Sequence, residues 1–146
     1  MITVSIVTRR LKEGKTYEDF RKAWYHTVGF GTSSKLYTMI NAHDPREIIV
    51  IGFVEAELEE YQAKLGIDVK ERLANPLDDV IEPEIGRQFG ILISEDDFSG
   101  EGKIEYKSPS ISGKETVLEE VYGNLSEIAE FINQASAERD RLKGKK

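Results

Sequence analysis

The segment between positions 17 and 30 combines several aromatic side chains with His26, one of only two histidines in the chain. An imidazole ordinarily titrates near neutral pH, so His26 could donate or accept a proton at the mouth of a pocket. Trp24 and Tyr25 directly precede it. The alternative interpretation makes the aromatic side chains part of the core and puts His26 near the C-terminal end of a helix, where the helix dipole favours positive charge.

Three further residues are candidates for ligand binding. Arg9 comes at the end of the first predicted strand and could bind a ligand carboxylate, although a surface ion pair would explain it as well. Tyr37 and Asn41 lie four positions apart in the second predicted strand, so they share one face of it. On that face they could donate hydrogen bonds to a ligand. Packing inside a closed interior explains them equally well.

Metal and cofactor sites are not indicated by the sequence. His43 and Asp44 precede a proline, which is typical of a tight turn, and no second histidine lies at ligand spacing. The lack of cysteine excludes disulfides, thiolate metal sites and iron–sulfur clusters. The glycines in segments 14–16 and 29–31 do not complete a phosphate-binding motif. We therefore expect neither a metal nor a cofactor.

Composition disfavours two classes of partner and leaves room only for a small local basic site. The formal net charge is −7, whereas proteins that grip nucleic acid or anionic lipid generally need clustered lysine and arginine. The longest fully apolar run, residues 48–51, is far shorter than the ~20 residues that span a bilayer. The first residues enter a strand pattern directly and lack the features of a secretion signal. We expect a cytoplasmic protein that binds neither nucleic acid nor membranes.

Hydrophobic periodicity predicts the elements that must position these residues. Alternation from Ile2 onward predicts a first strand, and Thr16 followed by Asp19 predicts the start of a helix that ends at Gly29. Two strands joined by a tight turn, then a second helix, helical turns and a fourth strand complete the series; we expect them at residues 36–42, 48–54, 56–65, 68–74, 76–81 and 87–94.

The order of these elements predicts an α+β fold of the ferredoxin-like β-α-β-β-α-β type, with a four-stranded antiparallel sheet. Both helices would cover the same side of the sheet, which leaves an apolar face without cover. We assign residues 1–98 to this domain and residues 99–146 to a linker and C-terminal extension. In the extension we expect a short strand at 103–107 and helices at 114–122 and 125–142, the last with an apolar stripe that needs a partner surface.

A first strand, then a helix carrying Trp24-Tyr25-His26, within this order of elements, resembles the dimeric α/β-barrel superfamily, above all its EthD-like and antibiotic-biosynthesis-monooxygenase-like branches. The resemblance covers residues 1–98. It implies a homodimer joined through the uncovered face of the sheet. A further implication is a pocket for a small aromatic or polyketide-like ligand, with Trp24 and Tyr25 as candidate binding residues. It also implies a cofactor-independent, monooxygenase-like reaction on a hydroxyaromatic compound, with His26 as the catalytic residue. The alternative is a non-catalytic module for binding, regulation or assembly.

Overall fold

The computed structural model describes residues 1–24, 29–74 and 76–143 of the chain. Along the first two thirds of the sequence the order of elements is strand, helix, strand, strand, helix, strand. A small hairpin and a long helix follow. In chain order they are β1 (Ile2–Arg10), α1 (Tyr17–Ala23), β2 (Ser34–Asn41), β3 (Asp44–Glu55), α2 (Leu58–Ala74), β4 (Gly86–Ile91), β5 (Ser110–Ile111), β6 (Lys114–Glu115) and α3 (Leu118–Lys143).

The first four strands form one antiparallel sheet in the order β2-β3-β1-β4. The predicted α+β fold with a four-stranded antiparallel sheet is therefore confirmed. The β2–β3 hairpin closes through the turn at His43, where the backbone N–H donates to the Asn41 side chain and Asp44 caps the next turn by accepting from Arg46 N. Such Asn and Asp turns are common because their short side chains mimic backbone acceptors.

The cross-strand register divides the sheet into two faces. Val7 lies opposite Val50, and Ile6 lies opposite Ile51 on the other side. We use "helix face" for the side that contains Val50, because Phe20 of α1 packs there. The opposite side is the "open face". Besides Ile2 at the start of β1, it carries seven large apolar side chains that are exposed or only half-buried: Val4, Ile6, Tyr37, Met39, Ile49, Ile51 and Phe53. An uncovered apolar face was predicted, and the chain has one.

Helix α1 begins at the predicted cap. Thr16 accepts a hydrogen bond from Asp19 N, and the Asp19 carboxylate accepts one from Thr16 N, which completes a capping box. The backbone N–H and the hydroxyl of Thr16 both donate to the Asp19 carboxylate, and these hydrogen bonds lower the pKa of Asp19 below its usual value. The helix ends at Ala23, with Trp24 as its C-cap. The predicted continuation to Gly29 falls on positions 25–28, which lie outside the described residues.

Three predictions for the later elements were wrong. Helix α2 runs through Gly66 and α3 runs through Gly123, where the sequence predicted breaks. A glycine in a helix costs only about 1 kcal/mol, and the burial of Tyr61 in α2 and Ile128 in α3 against each other and the sheet outweighs it. Residues 103–107 form no strand; β5 and β6 pair instead, a few residues later.

The core consists of two clusters on the helix face. The first joins α1 and β3 to the helical turn at positions 77–81 and contains Leu11, Phe20, Ile48, Val50, Leu77, Val80 and Ile81. The second joins α2 to α3 through Ala56, Tyr61 and Ile128, and Phe89 of β4 packs against it. The apolar stripe of the C-terminal helix thus finds its predicted partner surface. None of the helices in the described ranges is long and apolar enough to cross a membrane.

Candidate functional site

A cavity of about 260 Å³ lies between the helix face of the sheet and the three helices, flanked by the two core clusters. Strands β1 to β4 form its floor, and side chains of α1, α2 and α3 form its walls. Its lining is mainly apolar. Pockets that bind small molecules in proteins usually have this character, with a few polar groups that orient the ligand.

Two aromatic pairs border the cavity. The indole of Trp24 is stacked on Phe20, with ring centroids 5.9 Å apart and planes 9° from parallel. Tyr61 of α2 meets Phe89 of β4 edge to face, with centroids 5.9 Å apart. All four rings line the cavity, so a ligand there would meet aromatic surface on two sides.

The floor of the cavity contains small and polar residues. Thr3 and Ser5 of β1 reach it from the helix face, and the Thr3 hydroxyl donates to the Val54 carbonyl oxygen at 3.3 Å. Gly52 of β3 lies beside Ser5. A Cβ atom at position 52 would come within 2.9 Å of Leu36 Cδ2 and 3.0 Å of Ser5 Oγ. Leu36 and Ser5 therefore pack too closely around position 52 for any residue larger than glycine.

Five cationic residues line the cavity: Lys35 of β2, which lies opposite Phe53 in the register, and four others. Lys64 Nζ donates to the Phe30 carbonyl oxygen at 2.6 Å, and Arg87 Nη1 donates to Ser136 Oγ at 2.8 Å. The Arg72 guanidinium lies over the Trp24 ring, 5.8 Å from its centroid. Arg9 Nη2 donates to the Glu82 carbonyl oxygen at 3.2 Å. Lys64 and Arg87 donate to uncharged acceptors, and these two hydrogen bonds hold the side chains without cancelling their charges.

The charge of the cavity is opposite to that of the chain. The sequence has 27 acidic and 20 basic residues, yet the lining residues that the structure describes include no aspartate or glutamate. The positive charges are thus gathered where an enclosed ligand would lie. The attraction for an anion is stronger at the half-buried Lys64 than at the exposed Arg87, because less water screens it there.

Two of the residues predicted from the sequence are brought together at this cavity. Trp24 forms part of its aromatic wall, and Arg9 reaches it from the last part of β1. Arg9 lies opposite Ile48 in the register, which places it on the helix face. His26 and Tyr25, the predicted catalytic and neighbouring binding residue, lie outside the described residues.

Tyr37 and Asn41 are located elsewhere. Tyr37 pairs with Ile51, so its side chain lies on the open face, where it contacts Phe53 edge to face with centroids 5.8 Å apart. Asn41 Nδ2 donates to Glu47 Oε2 at 2.8 Å beside the β2–β3 turn. Neither residue lines the cavity.

Lys64, Arg72 and Arg87 were not predicted from the sequence as residues of a binding site. A signal for the first two was present: Tyr61, Lys64 and Arg72 are spaced by three and eight residues, which puts them on one side of a helix. A continuous α2 makes this side the inner one. Because the predicted break at Gly66 separated Lys64 from Arg72, their common side was not apparent.

The described lining residues are equipped for binding more than for proton transfer. They include no histidine and no carboxylate, the groups that most often act as general acids and bases. In the described part of the chain, no three His, Asp or Glu side chains are grouped so that they could hold a metal ion. No protein-family model matches this chain, and neither a curated protein nor a solved structure matches it.

Proposed function

We propose that this chain binds a small molecule with an apolar, ring-containing body in the cavity between the sheet and the helices. The observation that carries the proposal is the cavity itself. Its lining includes two small residues, Ser5 of β1 and Ala135 of α3, whose side chains leave the space between the sheet and the helices unfilled. Two aromatic pairs and several small polar groups face into it, which suits a flat ligand.

The fold that we propose for this binding unit is ferredoxin-like. The strand order β2-β3-β1-β4, read together with the chain order of α1 and α2, supports this assignment, since the split βαβ arrangement has its two crossing helices on one side of an antiparallel sheet. The domain limits of 1–98 and 99–146 remain a prediction.

We further propose that two copies of the chain join through their open faces, as the dimeric α/β-barrel resemblance implies. The seven large side chains of the open face form an apolar centre, and such patches on a soluble protein usually mark an interface. Charged residues of both signs lie at the border of the same face. Arg10 and Lys35 are positively charged, and Glu47 and Glu55 are negatively charged. A twofold axis can bring opposite charges together across such a border. We therefore propose that a second copy of the chain covers the open face.

The monooxygenase-like reaction stays a prediction. Its proposed catalytic residue, His26, comes two positions after Trp24, which lines the cavity. If the reaction takes place, His26→Ala should abolish dioxygen consumption with a hydroxyaromatic substrate while the fold and the oligomeric state persist. Binding without catalysis is the function that the described residues support best, because their side chains supply contacts but no obvious general base.

Binding is tested with two single variants, each of which replaces one alanine of α3 with phenylalanine. Ala135 lines the cavity, whereas Ala137 is exposed and lies outside it. We expect 2-naphthol to bind the unmodified protein in isothermal titration calorimetry, Ala135→Phe to lose this binding and Ala137→Phe to retain it. The added ring at position 135 occupies the space that the ligand needs.

Circular dichroism spectra of both variants provide the control for folding. Absence of binding to the unmodified protein would contradict the proposal. Equal binding to the two variants would show that naphthol lies elsewhere, for example on the open face.

A further inference from the structure

The cationic side chains of the cavity indicate the charge of its ligand. The inference rests on the proposed function, since it assumes that the cavity is a binding site. Helix α2 places Lys64 and Arg72 on its inner side, together with Tyr61. Lys70, in contrast, is exposed to solvent on the same helix. A lysine that serves only solubility would be expected to lie outside, as Lys70 does.

The contacts of Lys64 and Arg87 leave their charges available. Lys64 donates to the carbonyl oxygen of Phe30, and Arg87 donates to the hydroxyl of Ser136. Within the described residues no ion pair involves either side chain. An ammonium group has three donors and a guanidinium five, so one hydrogen bond leaves each of them able to bind a further acceptor.

The two cations approach the cavity from different elements. Lys64 belongs to α2, and its bond to Phe30 ties it to the segment before β2. Arg87 belongs to β4, opposite Val7 of β1, and its bond to Ser136 ties it to α3. Positive charge is therefore fixed at two sides of an otherwise apolar space.

We infer that the natural ligand is an amphipathic anion: an apolar, ring-containing body with a carboxylate or a similar acidic group. The aromatic pairs receive the body of the ligand. The acidic group lies against Lys64 or Arg87 and accepts charge-assisted hydrogen bonds, which are stronger than those between neutral groups. A neutral ligand would fill the same space but would leave these cations without an anionic partner, which lowers its affinity.

The test compares two probes that share one ring system. 2-Naphthoate carries a carboxylate at neutral pH, whereas 2-naphthamide is neutral and nearly identical in shape. We expect calorimetry to give at least about tenfold tighter binding of naphthoate to the unmodified protein, the size of effect typical of a hydrogen bond to a charged group. The preference should shrink as salt is added, because ions screen the attraction.

Matched variants assign the preference to the named cations. Lys64→Gln and Arg87→Gln should each weaken naphthoate binding severalfold and leave naphthamide binding unchanged, whereas Lys70→Gln should change neither. Ser136→Ala removes the hydrogen bond to Arg87 and keeps the charge. It should therefore retain most of the preference for naphthoate, which separates the charge of Arg87 from its structural contact.

The outcomes distinguish this inference from the proposed function. Equal affinities for naphthoate and naphthamide would overturn the inference and leave the binding of ring-containing molecules intact. A loss of naphthoate binding in Lys70→Gln as large as in Lys64→Gln would also overturn it, because the preference would then reflect general charge. If neither probe binds, and 2-naphthol does not bind either, the proposed function fails and the inference fails with it.

Discussion

The indole ring of Trp24 lies between a ring and a cation: it is stacked on Phe20 at 5.9 Å, and the Arg72 guanidinium lies 5.8 Å from its centroid. Phe20 is buried in the first core cluster, so this arrangement links the end of α1 to the core on one side and to α2 on the other. Trp24 is thus both a structural contact and a wall of the cavity.

We expect Trp24→Ala to lower the free energy of unfolding by about 2 kcal/mol, because it removes the stack on Phe20 and the contact with Arg72 while part of the ring was already in contact with solvent. Urea denaturation followed by far-ultraviolet circular dichroism measures the change. Tyr106, which is 89% exposed, provides the matched control: Tyr106→Ala should stay within about 0.5 kcal/mol of the unmodified protein. A loss of similar size in both variants would mean that Trp24 makes no specific contribution.

Helix α3 should be essential to the stability of the domain. Ile128 has no exposed surface and packs with Ala56 and Tyr61, so Ile128→Ala should cost about 3 kcal/mol in urea denaturation. Ile104 is 44% exposed, and the same substitution there should cost less than about 1 kcal/mol.

Truncation after Gly102 extends this prediction. It removes all of α3, uncovers the cluster around Tyr61 and should promote aggregation, which light scattering measures. A truncated chain as stable and monodisperse as the full chain would show that α3 does not complete the core.

Hydrophobic patterning made the four strands predictable, the short turn after Asn41 made the β2–β3 hairpin predictable, and the Thr16–Asp19 spacing made the start of α1 predictable. Which face of the sheet the helices cover could not be predicted from the sequence. Val50 and Ile51 are equally apolar neighbours, and only the way the helices pack decides that Val50 faces them. Tyr37, in register with Ile51, consequently lies on the side away from the cavity.

The continuous helices were unpredictable for a related reason. Gly66 and Gly123 are locally unfavourable in a helix, and the packing that overrides them joins α2 to α3, residues far apart in sequence. Lys64 and Arg72 could be recognised as cavity residues only once α2 was seen as one helix.

Self-association should depend on the centre of the open face. We expect sedimentation equilibrium to give twice the chain mass of 16.5 kDa for the unmodified protein and the chain mass for Ile51→Asp, because a carboxylate there would be desolvated in the interface. Ile104→Asp makes the same exchange at an exposed position outside the sheet and should leave the dimer intact. An unmodified protein that sediments as a monomer would contradict the proposed dimer.

The capping box should make part of the stability depend on pH. Because hydrogen bonds from Thr16 lower the pKa of Asp19 below its usual 3.8, the ionised carboxylate stabilises the folded state. This contribution is fully present above pH 3.8 and is lost as the pH falls through the lower pKa of the folded protein. Asp19→Asn should therefore be less stable than the unmodified protein at pH 7, and the difference should shrink in strongly acidic solution.

A double-mutant cycle with Thr16→Ala checks the cause. In the Thr16→Ala background, Asp19→Asn should have a smaller effect, because both hydrogen bonds of the Thr16 hydroxyl are lost, while the Thr16 backbone N–H still donates to the carboxylate. An unchanged effect would assign the pH dependence to other interactions of Asp19.

The most direct measurement of ligand binding in the cavity uses the fact that Trp24 is the only tryptophan in the chain. Its indole N–H gives a single side-chain signal in a proton–nitrogen correlation spectrum. Addition of 2-naphthol should shift this signal in the unmodified protein and in Ala137→Phe but leave it in place in Ala135→Phe. A signal that stays fixed in the unmodified protein at saturating naphthol, while signals of open-face residues move, would contradict the account.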